Sequence, residues 1–135
     1  MRASSVIFLS LISFAFAGEV KQNPSQAVPA AFLGDWNSKM EDCDTGYNDS
    51  ALSIDPRWIR FYESGGPIIA VVLKGKTTLT LIARLTSAED EKTIWDAPMQ
   101  FELSSNGAVL KDTTTQDRNM TRYKCPHHTP PKGIK

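Results

Sequence analysis

Period-two alternation constrains this chain more than any other feature. In TTLTLIARLTS, Leu79, Leu81, Ala83 and Leu85 fall on one side of an extended segment and Thr78, Thr80 and Arg84 on the other, with Ile82 the exception. In APMQFELSSNGAVLKD, Ala97, Met99, Phe101 and Leu103 share a face. The Asn106-Gly107 pair that follows is the strongest two-residue hairpin signal, because both residues accept positive φ, and Val109 resumes the next strand. These segments predict half-buried strands joined by tight turns.

Turn chemistry divides the rest of the chain in the same manner. Ser64-Gly65-Gly66-Pro67 separates RWIRFYE from IIAVVLK, and Lys74-Gly75-Lys76 separates IIAVVLK from TTLTLIARL; both read as hairpin connections. SAEDEK and DTTTQDRN are polar loops. The pattern predicts about eight short strands, near 34–39, 51–54, 57–63, 67–73, 77–86, 93–103, 107–112 and 119–125. Short connections favour an all-β antiparallel meander closed into a small barrel or a partly open one, with a β-sandwich as the alternative. Pro98 implies an edge position, a bulge or a break in its strand.

The first residues, MRASSVIFLSLISFAFA, carry one basic residue, an apolar run and a small-x-small end, and read as a signal peptide over 1–17 rather than a retained anchor. Residues 18–31 read as a flexible linker, 32–125 as the folded domain and 126–135 as a flexible tail. A periplasmic or secreted location follows, with no membrane insertion once the leader is removed. In that setting Cys43 and Cys125 are expected to pair rather than stay free, closing the barrel with one disulfide.

Without the leader, 14 basic residues face 15 acidic ones, so no positive field exists to hold a nucleic acid backbone. No histidine lies within 32–125, and paired cysteines supply no nucleophile, so no catalytic residues and no cofactor are expected and the chain reads as non-enzymatic. Glu41, Asp42, Asp44 and Asp49 lack EF-hand spacing and read as a solvated loop, while His127-His128 lacks the partners of a zinc site; no metal is expected. Asn48 and Asn119 each begin a glycosylation sequon, of consequence only in a eukaryotic source.

Phe32-Leu33-Gly34-Asp35-Trp36 resembles the Gly-x-Trp opening of the first strand in lipocalin-like barrels. That resemblance implies that Gly34 and Trp36 are structural, with Trp36 plugging the closed end and Arg122 of the last strand laid over its ring. The wider pattern is similar to small uncharacterised secreted bacterial proteins: F-x-G-x-W, a cysteine soon after, an arginine-bracketed aromatic strand and a terminal cysteine. Strands this short give an eight-stranded barrel an interior about filled by its own side chains.

Trp58, Arg60 and Tyr62 alternate with Ile59 and Phe61, so burial of the latter pair leaves an aromatic-arginine-aromatic stripe outside. Those are the residue types of interface hot spots. With Ser64 and Gly65 on the adjacent predicted loop, they are the expected binding residues. Small periplasmic lysozyme inhibitors are similar in scale and use a serine-glycine loop, which Ser64-Gly65 resembles. The expected function is a periplasmic or secreted inhibitor or immunity-type protein that binds another exported protein; the alternative is a lipocalin-like carrier of a small apolar ligand. An interior void of several hundred cubic ångströms would favour the carrier.

Overall fold

A computed structural model describes residues 26–45, 48–117 and 119–127. Eight strands follow in chain order: β1 (Gly34–Asn37), β2 (Leu52–Ile54), β3 (Trp58–Phe61), β4 (Ser64–Lys74), β5 (Thr78–Ser87), β6 (Ile94–Leu103), β7 (Val109–Asp112) and β8 (Met120–Lys124). Each pairs antiparallel with the next, and β8 returns to β1 through Trp36 opposite Lys124 and Asn37 opposite Tyr123, closing the barrel. Two 3-10 turns, Ala30–Phe32 and Met40–Asp42, complete the described elements.

The inward face is the one the alternation picks out. Leu79, Leu81, Ala83 and Leu85 of β5 and Met99, Phe101 and Leu103 of β6 are buried, while Thr80, Ile82 and Arg84 point outward. Ile82 is tolerated outside because its cross-strand partners there are Ala70 and Pro98, so three apolar groups shelter one another. Pro98 sits in a continuous strand. It pairs with Ile82 of β5, but β7 reaches only Phe101–Leu103, and the other edge of β6 has no ladder at Pro98 for a missing N–H to interrupt.

The largest departure from the expected strand limits is in β4. Ser64-Gly65-Gly66-Pro67 is not a loop: Gly65 pairs with Arg60 on one side and Thr86 on the other, and the chain reverses instead at Tyr62–Glu63. The glycines are there for proximity. A Cβ on Gly66 would stand 1.8 Å from the carbonyl oxygen of Arg84, so β4 and β5 approach more closely than a side chain allows. A register shift between Ile68 and Ala70 then restores the outward-inward order along the rest of β4.

The fold also begins upstream of residue 32. Val28 is buried and donates its N–H to the carbonyl of Pro56 at 2.9 Å, so the chain crosses the barrel end where β2 turns into β3. Phe32 and Trp36 stand inside that end, and the Trp36 indole N–H donates to the Phe32 carbonyl at 3.1 Å. Cys43 and Cys125 are joined, tying the β1–β2 connection to the end of β8. The signal-peptide stretch, most of the linker and most of the tail lie outside the described residues, as does His128. Among the described residues no helix is long and apolar enough to cross a membrane, and the disulfide is consistent with an extracellular location.

Candidate functional site

The barrel is filled at one end and hollow at the other. Trp36, Phe32, Phe101, Leu79, Leu81 and Leu110 are essentially inaccessible and occupy the closed end and the middle. At the opposite rim, where β3 turns into β4 and β5 leads to β6, the interior opens into a cleft with two lobes. One has a volume of about 540 Å³ and runs past Arg122, Asp49, Asp117 and Met120. The other, about 440 Å³, lies against Leu85, Trp95, Ala97 and Met99. Phe61 and Asp112 border both lobes. The lumen is therefore not filled throughout, which corrects the expectation from strand length. Strands β4, β5 and β6 each run ten or eleven residues and rise past their short neighbours, and their upper residues wall a space that nothing fills.

Arg122 is placed differently from its expected position over Trp36. Lys124, which pairs with Trp36 across β1 and β8, holds its Nζ 5.4 Å from the ring centroid; Arg122 lies two residues nearer the mouth, opposite Leu110. Its side chain is only 4 % exposed. Nε donates to the Ser50 carbonyl at 2.7 Å, and Nη1 lies 3.8 Å from Asp112 Oδ2, too far for a hydrogen bond. Nη1 is buried with no hydrogen-bond partner among the described residues. Burial pushes the guanidinium below its ordinary pKa, with Asp112 opposing the shift.

The outer stripe is only partly a free surface. Ile59 is fully buried and Phe61 faces the mouth, so Trp58, Arg60 and Tyr62 do point outward. Arg60, however, reaches across to Ser53 with Nη2 at 3.2 Å, and Ser53 Oγ in turn bonds Asp35 Oδ1. Trp58 is half-buried opposite Pro67, leaving Tyr62, 44 % exposed, as the most accessible of the three. A shallower outer cleft of about 280 Å³ lies between this row and the disulfide-pinned loop. Ser64 borders the mouth, whereas Gly65 lies within the sheet ladder and offers no loop to insert into a partner.

The acidic residues of the β1–β2 connection form no site: among the described residues no three His, Cys, Asp or Glu side chains gather as metal ligands. Of the two sequons, Asn48 has its amide nitrogen buried while its Oδ1 accepts from the Ser50 N–H at 3.1 Å; Asn119 is exposed. The mouth residues Phe61, Leu85, Trp95 and Asp112 escaped sequence reasoning as a group. Each looked like an ordinary strand-end residue, and only closure of the barrel brings four strand ends together.

The fold and cleft define a class, a small disulfide-tied eight-stranded antiparallel barrel with one open end. No protein-family model matches the chain, and it matches no curated protein and no solved structure.

Proposed function

We propose that the domain is a non-enzymatic, exported binding protein that holds a small, largely apolar molecule in the mouth of its barrel. The supporting observation is the two-lobed cleft, whose volumes of about 540 and 440 Å³ fall in the range of small-molecule sites. Phe61, Leu85, Trp95, Ala97 and Met99 supply its apolar contact. No histidine or thiol borders either lobe, which favours holding a molecule over transforming it. The Gly-x-Trp resemblance to lipocalin-like barrels points in the same direction.

Fluorescence titration of the full chain with the neutral probe N-phenyl-naphthylamine tests this. Saturable binding is expected, and Ala97→Trp, which fills the cleft from its wall, is expected to abolish it with the fold retained by circular dichroism. Absence of saturable binding removes the carrier reading.

A second reading, an inhibitor or immunity-type protein that binds another exported protein, is favoured by the exposure of Tyr62 beside Trp58 on the outer face. It predicts capture of a defined partner from secreted extract that Tyr62→Ala weakens and Ala97→Trp leaves intact.

A further inference from the structure

The mouth cleft is apolar on the β5–β6 side and charged on the β7–β8 side, and the charged side holds a donor that nothing answers. Arg122 Nη1 is buried, borders the larger lobe and makes no hydrogen bond among the described residues. A buried donor without an acceptor is costly, and an incoming oxygen that accepted from Nη1 would recover that cost as binding energy. The character of that oxygen is set by the neighbouring charges. Asp112 already faces the guanidinium at 3.8 Å, and Asp49 and Asp117 border the same lobe, so one described cation meets three carboxylates. A carboxylate ligand would add a fourth negative group to a space with little water. A neutral carbonyl or hydroxyl oxygen meets no such penalty.

We propose that the molecule held at the mouth is amphipathic and uncharged, with Arg122 Nη1 donating to a neutral oxygen at its polar end while its hydrocarbon part lies along Phe61, Leu85, Ala97 and Met99. This inference rests on the cleft being a binding site and specifies the ligand chemistry it selects. Arg122 fixes the polar end, and Asp112 both holds Arg122 and rejects acids.

Displacement of N-phenyl-naphthylamine by four decyl compounds that differ only in the polar end tests it: methyl decanoate, decanol, decanoate and decylammonium. Methyl decanoate and decanol are expected to bind about tenfold or more tighter than decanoate, the scale of a charge placed among like charges. Asp112→Asn, which keeps Arg122 and its bond to Ser50, is expected to raise decanoate affinity until that gap closes. Arg122→Met is expected to erase the preference for the neutral compounds and favour decylammonium, because Asp112 then stands alone. Should Arg122→Met fail to fold, the Asp112→Asn result still decides. Equal displacement by all four compounds, tightest binding of decanoate, or indifference to Asp112→Asn overturns the polar-end assignment while leaving the carrier reading in place. A chain that does not bind the probe at all overturns both.

Discussion

Trp36 is 1 % exposed and its one polar atom is satisfied by the Phe32 carbonyl, so the ring contributes packing without a desolvation cost. Trp36→Ala is expected to cost about 3–5 kcal/mol, read as a shift in the denaturant midpoint. Lys124→Met should cost no more than about 1 kcal/mol, since a partly exposed cation over a ring adds little beyond the contact of its stem. Lys124 rather than Arg122 takes that place because register puts residue 124 directly across from residue 36. On the outer face, Arg84 and Asp96 form a two-bonded cross-strand pair at 2.8 and 3.1 Å. The hydrogen bond from Arg84 holds the Asp96 carboxyl below the usual carboxylate range. A lowered carboxyl pKa stabilises the fold above the unfolded value near about 4, and that contribution fades as pH falls through the folded value. Both side chains are half-exposed, so the effect on stability is small. A carboxyl titration by nuclear magnetic resonance should place the Asp96 midpoint below the ordinary value, and Arg84→Ala should return it.

Among the elements, β4 is the most demanding. It contacts β3 through its first residues and β5 along most of its length, and Gly66 sits where these pairings overlap. Gly66→Ala would set a methyl 1.8 Å from the Arg84 carbonyl oxygen, a backbone atom that cannot swing aside. The two strands must then part, with an expected loss of about 1–3 kcal/mol or more. Gly107→Ala is the contrasting case. Gly107 has φ 73° in the β6–β7 turn and no atom near its would-be Cβ, so only the conformational cost remains, about 1–2 kcal/mol. Comparing the two denaturant midpoints separates close approach from backbone strain.

At the scale of the molecule, closure depends on a short seam, since β1 and β8 share only two paired positions. The Cys125 N–H donates to the Asp35 carbonyl at 2.8 Å just beyond that seam, and the disulfide reinforces it from outside. The bridge spans a sequence separation of 82, for which chain entropy gives roughly 4.5 kcal/mol at most. Cys43→Ser and Cys125→Ser are each expected to lower the thermal midpoint by a comparable large amount, and the double variant no further. Thiol titration of the unfolded, unreduced chain should find none. The cleft adds a separate expectation: a molecule bound at the mouth stabilises the barrel by mass action, so Tm should rise with its concentration and fail to rise in Ala97→Trp.

What the sequence determined by itself was whatever depends on neighbours along the chain. Alternation in β5 and β6 fixed which side chains go inward, because a strand presents successive residues to opposite sides whatever it later pairs with. Asn106-Gly107 marked its hairpin for a comparably local reason. An even pair of cysteines behind a leader-like segment marked the disulfide. Tertiary structure decided what depends on distance across the barrel. Ser64-Gly65-Gly66-Pro67 has the composition of a turn and became strand because β5 presses against Gly66, a contact invisible in the local sequence. Arg122 was assigned to the tryptophan from resemblance, but register placed Lys124 there and left the arginine at the mouth, buried beside Asp112. The cleft itself arises from three long strands outrunning five short ones around a closed circle, so its walls converge from residues far apart in sequence. Local periodicity chooses a face, and closure of the barrel decides what that face encloses.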